Sequence, residues 1–204
     1  YELLLVVVNE SRYGYALHSE EKIKWLEDMF VTCMSDSFVF KELMALKKWD
    51  SNSFYHSFNV FLLGTLLYRQ IGKTDHCIVD YAKGCLLHDI GKSIVPQAIL
   101  QKKGSVTPSE FELIKKHTTW GFDKIMATQN QGVIGTMAKS HHEKLDGSGY
   151  PEGLSGAEII PEVRILTIVD MYSALTTSRS HRPPLSTTAS LKLLLNERDK
   201  LDYE

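Results

Sequence analysis

The chain has 204 residues, 43% of them hydrophobic and 24% charged, with a formal net charge of -2. That length suits one domain with room for a small second lobe, and the apolar content excludes a disordered chain. The near-neutral balance excludes a broad basic surface for a nucleic-acid polymer or an anionic membrane. Eight histidines stand out, because imidazole is the commonest metal ligand.

Leu3 to Val8 reads as a strand or as the tail of a preceding element, and at six residues it is far short of the roughly 20 needed to span a bilayer. No signal-peptide pattern precedes it. The chain starts at Tyr1 without an initiator methionine, as a piece of a longer protein would. From Glu20, Ile23, Leu26, Met29 and Phe30 recur at helical spacing. Phe38 to Trp49 forms a second helix. Ser51 to Gln70 forms a third, capped by a Ser or Asn and ended before Gly72. A fourth begins at Thr74 or Asp75 and ends at Leu87, with Ile78, Tyr81, Ala82, Cys85 and Leu86 as its apolar stripe. Gly91, Pro96 and Gly104 mark residues 91 to 106 as a loop with a short turn.

Thr107-Pro108-Ser109-Glu110 has the cap, the proline and the glutamate of a helix start. That helix runs toward His117 and resumes to about Met126. Gly132 to His141 is helical, 144 to 158 is a glycine-rich loop, and Glu162 to Leu175 and Thr187 to Leu201 are the last two helices. The fold class is therefore all-α, with residues 1–50 as a mostly helical N-terminal extension or linker that joins a sensor or mediates dimers. Cys33, Cys77 and Cys85 are odd in number and form no CxxC pair. Reduced thiols in a cytoplasmic protein are expected rather than a disulfide framework.

The chemistry-bearing residues sit at helix ends. His88-Asp89 stands where the fourth helix stops, and His141-His142 precedes the glycine-rich loop, a common place for functional residues. Singly, each has a bland reading: a surface pair, a His neutralising a helix dipole at His117, a core histidine at His56. Asp170 is more informative, because a carboxylate inside Ile165-Leu166-Thr167-Ile168-Val169-Asp170 is costly to bury unless it is paired or bound to metal. Together, five histidines and two aspartates exceed one tetrahedral zinc site. They suit two first-row metals sharing a bridging carboxylate.

His88-Asp89-Ile90-Gly91-Lys92, His141-His142-Glu143 and Asp146-Gly147-Ser148-Gly149-Tyr150-Pro151, in that order, resemble the HD-GYP subgroup of the HD phosphohydrolase superfamily. The likeness covers about residues 50 to 185. It implies an HD-domain helical bundle of about seven helices, with 51–204 as the catalytic domain. It also implies a metal-dependent phosphodiesterase that opens cyclic di-GMP to linear pGpG, with GMP as a further product. A variant acting on 3′,3′-cyclic GMP-AMP fits equally well. A weakly catalytic nucleotide-sensing or partner-docking module, and an HD hydrolase of nucleoside polyphosphates, are the other readings.

By the same resemblance, His56, His88, Asp89 and Asp170 hold one metal, and Asp89, His117, His141 and His142 the other, with a bridging hydroxide as nucleophile. Asp89 and Lys92 are the catalytic residues, Lys92 contacting the phosphate or orienting the nucleophile. Asp146, Gly149, Tyr150, Arg179 and Arg182 are substrate-binding: the arginines grip phosphate, Tyr150 stacks on guanine or donates to a phosphate, and Asp146 binds metal-held solvent or pins the loop. The metals are iron or manganese by likeness, and nickel or zinc also suit the ligands. Asn52, where some members carry a glutamate before the first His, implies two metals rather than three. Ser173 stands where many members have an Asp, Thr118 where proline is common, and Ser180-His181 inside the Arg179–Arg182 segment. The GYP loop is also an expected contact for a diguanylate cyclase domain.

Overall fold

The computed structural model describes residues 19–72, 75–128, 132–177 and 183–202. Among these residues there are ten α-helices and no strand: α1 (Glu20–Met34), α2 (Ser37–Trp49), α3 (Ser51–Gln70), α4 (Asp75–Leu87), α5 (Gln97–Leu100), α6 (Pro108–Lys115), α7 (His117–Met126), α8 (Gly132–Ser140), α9 (Pro161–Thr176) and α10 (Thr187–Asn196). Two 3₁₀ turns, Ile90–Ile94 and Gly156–Glu158, flank the motif regions. The strand or preceding tail expected at Leu3–Val8 lies outside the described residues. No helix among the described residues is long and apolar enough to cross a membrane.

Local signals place most boundaries. Asp36 accepts from the backbone N–H groups of Phe38 and Val39 to start α2. Thr107 and Glu110 form the expected capping box at α6, with Pro108 in its first turn. Several caps and ends differ from the sequence expectation, α2, α8 and the end of α9 by a single residue. The cap of α3 is Asp50, whose carboxylate takes the N–H and the hydroxyl of Ser53. Pro161 opens α9 one residue early, in the position where its missing N–H costs nothing. α10 stops at Asn196 rather than Leu201, and residues 197–200 turn back so that the Lys200 carbonyl accepts from Leu145 N–H.

α3 is the central helix. Phe54, Phe58, Val60, Phe61, Leu62 and Tyr68 are all buried. α4 packs the expected stripe of Ile78, Tyr81, Ala82, Cys85 and Leu86 against it, and α9 adds Val163, Leu166 and Val169. Leu26 of α1 and Val39, Leu43 and Leu46 of α2 are completely buried. At about 1.5–3 kcal/mol for each such side chain, these four are comparable with the roughly 5–15 kcal/mol net stability of a whole domain. α1 and α2 are therefore built into the same core as α3.

Candidate metal centre

Three of the five motif histidines follow the end of a helix, and one local device orients all three. The last carbonyls of a helix have no partner within it. His88 Nδ1 donates to the Cys85 carbonyl (2.8 Å), His117 Nδ1 to Ile114 (2.7 Å) and His141 Nδ1 to Ala138 (3.0 Å). In each case the carbonyl lies three residues back, in the last turn of α4, α6 or α8. A carbonyl only accepts, so each Nδ1 carries the hydrogen and each Nε2 presents its lone pair to the centre.

His56, in α3, reaches the centre from the opposite wall. Its Nε2 is 2.7 Å from Asp170 Oδ1, and its Nδ1 is 3.2 Å from the Ser173 hydroxyl. The Ser173 hydroxyl thus touches the far side of the His56 ring.

Asp89 lies between two sets of imidazoles. Its Oδ2 is 3.4 Å from His88 Nε2 and 3.8 Å from His56 Nε2. Its Oδ1 is 3.3 Å from His117 Nε2 and 3.8 Å from His141 Nε2. Asp170 adds Oδ1 at 3.7 Å from His88 and Oδ2 at 4.0 Å from His142 Nδ1. His56–His88–Asp170, His88–Asp89–His141 and His117–His141–His142 each bring their ligand atoms within 4.8 Å of one another. The expected seven-residue set is thus one cluster. All of it is buried except His142, which is half-buried.

Two observations test whether this cluster fits metal. Among the described residues, His88 Nε2 and Asp89 Oδ1 are buried without a hydrogen-bond partner, an expensive state for polar atoms. The Nε2 atoms of His117 and His141 face each other at 3.2 Å, although both rings hold their hydrogen on Nδ1. Two lone pairs turned toward one point suit a shared cation, and mixed imidazole and carboxylate donors suit first-row divalent metals. The residues fit.

The electrostatics point the same way. Burial pushes the His117 imidazole down to about 3 and His142 to about 4, and holds His141 well below its ordinary value, so all three stay neutral. Burial also lowers His56, against the pull of Asp170. Burial would raise both carboxyls, but Lys92 and His88 outweigh it at Asp89, and His56 and His88 at Asp170, keeping both well below the usual range. At His88, burial is overcome by Asp89 and Asp170, and the ring is raised to about 10. The two carboxylates thus draw positive charge toward the place that His88 Nε2 faces, which suits a cation there.

Gly91 and Lys92 explain the residues after His88-Asp89. A Cβ on Gly91 would meet the His117 carbonyl oxygen at 1.9 Å and Gly121 N at 2.6 Å. Only glycine lets the 3₁₀ turn lie against α7, which sets the separation of Asp89 and His117. Lys92 Nζ lies 2.6 Å from Asp89 Oδ2 at the partly exposed rim.

The glycine-rich loop is held by Glu143, a residue of the motif to which the sequence assigned no role. Its buried carboxylate accepts from the N–H groups of Glu152 (2.7 Å), Gly153 (3.1 Å) and Leu154 (3.0 Å). Gly149 presses on the chain just after the histidines, where a Cβ would meet Glu143 Cα at 2.4 Å and the His142 carbonyl at 2.6 Å. Tyr150 N–H donates to that carbonyl, and the Tyr150 ring packs 4.7 Å from His142. Asp146 is not brought to the cluster: it is exposed, and its Oδ1 accepts from the Ser148 N–H and hydroxyl within the loop. Of its two expected roles, pinning the loop matches this geometry. Arg179 and Arg182 lie outside the described residues. A cleft of about 690 Å³ lined by Leu63, Leu66, Leu67, Ile168, Tyr172 and Leu191 shares no residue with the histidine cluster.

Comparison with known proteins adds to this. The model of the HD domain family matches residues 66–204. The chain is similar to a cyclic di-GMP phosphodiesterase response regulator of Xanthomonas campestris, 33% identical over 138 residues, which are 67% of this chain and 36% of that protein. It is similar to a 3′,3′-cGAMP-specific phosphodiesterase of Vibrio cholerae, 37% identical over 146 residues, 71% of this chain and 34% of that protein. It also resembles a cyclic di-GMP phosphodiesterase of Pseudomonas aeruginosa, 30% identical over 174 residues, 85% of this chain and 42% of that protein. The chain thus spans less than half the length of these curated relatives. Among solved structures, Bd1817, an HD-GYP-type protein from Bdellovibrio bacteriovorus, superposes with a TM-score of 0.60 at 18% identity, covering 98% of this chain and 73% of that one. The all-α bundle is shared with it.

Proposed function

The chain belongs to the HD domain family and carries its GYP signature, and from that premise we propose that it hydrolyses the phosphodiester bonds of a cyclic dinucleotide. The substrate is cyclic di-GMP, opened to linear pGpG, with GMP as a further product where the second bond is also cut. A second reading, 3′,3′-cyclic GMP-AMP, is supported by the similarity to the Vibrio cholerae phosphodiesterase. The observation that carries the proposal is the division of Asp89, whose two oxygens face two different groups of buried imidazoles.

In this reading His56, His88, Asp170 and Asp89 hold one divalent cation, and His117, His141, His142 and Asp89 the other. Iron or manganese is proposed, on the likeness together with the donor set. When bound, a pair of such cations lowers the pKa of water and offsets the charge on a transferring phosphoryl group. The protein's own contribution is positional. Three helix-end carbonyls fix the imidazole tautomers, and Glu143 keeps the loop with Tyr150 against His142. Lys92 holds an ammonium at the rim, where its three donors can reach an incoming phosphate oxygen. Arg179 and Arg182 are carried as phosphate-binding groups on the sequence pattern alone. Residues 51–204 form the catalytic unit in this proposal, with α1 and α2 contributing to its core. The exposed rim of the loop, at Ser148, Pro151, Glu152 and Gly153, is the proposed contact for a diguanylate cyclase domain. A homodimer and a cytoplasmic setting belong to the same reading, the second in keeping with unpaired Cys33, Cys77 and Cys85.

The test is turnover of both dinucleotides by protein reconstituted with Mn²⁺ or Fe²⁺, with metal analysis of the same sample. Asp89→Ala should reduce turnover at least about 10³-fold and lower bound metal at both positions. An active Asp89→Ala protein, or full metal loading with no turnover of either dinucleotide, overturns the proposal.

A further inference from the structure

Beyond the cluster, aromatic rings lead outward from it in an unbroken line. Tyr150 packs at 4.7 Å on His142, and Phe111 of α6 stands 6.4 Å from Tyr150, edge to face at 79°. Phe111 is 43% exposed. Lys115, one helical turn along α6, lies with Nζ 5.1 Å from the centre of the Phe111 ring and 5.4 Å from that of Tyr150. The same ammonium donates to Glu112, at 2.7 Å on the exposed side of the helix. A lone exposed Phe on a helix needs no explanation. This one differs because it faces a ring seated on a proposed metal ligand and shares an ammonium with it.

We propose that Phe111 and Lys115 form a base-reading ledge that selects guanine over adenine in the dinucleotide. This rests on the phosphodiesterase reading above. A phosphodiester at the histidine cluster leaves its neighbouring base to lie outward, across Tyr150. Every base offers a flat face for stacking on Phe111. The edge is what discriminates. Guanine presents two adjacent acceptors, O6 and N7, whereas adenine replaces O6 with an amino donor. Lys115 has only donors, so it meets an acceptor pair on guanine and a like donor on adenine. Tyr150 has one face against His142, and so Phe111, the more open ring, takes the base.

The experiment compares wild type, Phe111→Ala and Lys115→Met, each with its fold checked by circular dichroism. Two readouts are taken: binding of cyclic di-GMP and of cyclic di-AMP by calorimetry, and turnover of cyclic di-GMP and of bis(4-nitrophenyl) phosphate by metal-loaded protein. Phe111→Ala should weaken cyclic di-GMP binding roughly 5- to 100-fold, the range for loss of one base–aromatic stack. Lys115→Met should cut the preference for cyclic di-GMP over cyclic di-AMP about tenfold or more. It should leave bis(4-nitrophenyl) phosphate turnover unchanged, because that substrate has no purine edge. A preference unchanged within about twofold in a folded Lys115→Met protein overturns the ledge. If the wild type turns over neither substrate, the phosphodiesterase reading fails, and the binding comparison still decides the ledge.

Discussion

Glu143→Gln isolates the residue that ties the histidine–aspartate cluster to the loop beside it. The wild-type carboxylate has acceptors only. Oε1 serves the N–H groups of Glu152 and Gly153, and Oε2 serves that of Leu154. Glutamine keeps one acceptor and turns an amide donor toward the remaining N–H. One charge-assisted bond is lost outright and one buried N–H meets another donor. Hydrogen bonds to a charged partner are worth about 1.5–3 kcal/mol each, so about 2 kcal/mol of local stability should disappear. Because 1.4 kcal/mol is a factor of ten, amide hydrogen exchange at Glu152, Gly153 and Leu154 should accelerate roughly 30-fold. Amides of the α3–α4 core should not change. None of the three bonds involves a side chain of the histidine cluster, so bound metal should stay at the wild-type level. KM for the dinucleotide should rise as Tyr150 loses its seat. Unchanged exchange at all three amides would refute the capping role. Loss of metal together with intact exchange would instead place Glu143 in the ligand set.

Two further perturbations test parts of the same frame. Gly91→Ala should destabilise the protein by roughly 3 kcal/mol or more in urea unfolding, because the new methyl meets backbone rather than a side chain that can move; wild-type stability would show that the 3₁₀ turn yields freely. Asp36→Asn tests electrostatics away from the site. The Lys83 hydrogen bond lowers the Asp36 pKa below its ordinary value, so its stabilisation is present above the unfolded-state value near about 4 and fades as pH falls through the lower folded value. Asparagine retains the cap acceptor, so the wild type should be more stable at pH 7 by no more than about 1 kcal/mol, since the pair is partly exposed. The gap should close toward pH 2–3, and a gap that persists there would exclude the ion pair as its source.

The histidine–aspartate cluster was legible in the sequence for a chemical reason. Few side chains can bind a first-row cation, and a carboxylate inside an apolar helix is rarely idle, so residue type and position made Asp170 informative, while His56, His88, Asp89, His117, His141 and His142 gained weight only together and through the motif resemblance. Most helices were legible as well, because their apolar stripes and caps are local signals. Glu143 was not. Its partners are backbone amides nine to eleven residues further on, and a main-chain N–H leaves no trace in sequence. The contact between Ser173 and His56 was hidden for a similar reason: it depends on the packing of α3 against α9, residues 117 apart. The glycine of His88-Asp89-Ile90-Gly91-Lys92 could be read as part of a motif, but its cause is a close approach to α7 that only coordinates reveal.

The geometry also accounts for how a chain of net charge -2 can be reconciled with an anionic substrate. Asp89 and Asp170 bring two negative charges to the centre, and the nearest permanent cation among the described residues is Lys92, already bonded to Asp89. Burial keeps the imidazoles of His117, His141 and His142 neutral. The carboxylates and these neutral imidazoles therefore offer little positive field to a phosphodiester. In the proposed function the attraction arrives with the metals, and it stays local because the residues proposed to hold them are buried. Outside the cluster, Lys115 is the next positive group along the line of rings, and it faces the place where a base, not a phosphate, would lie. A protein built this way needs no basic surface, so its overall charge is free to stay near neutral while the chemistry depends on a few side chains and what they bind.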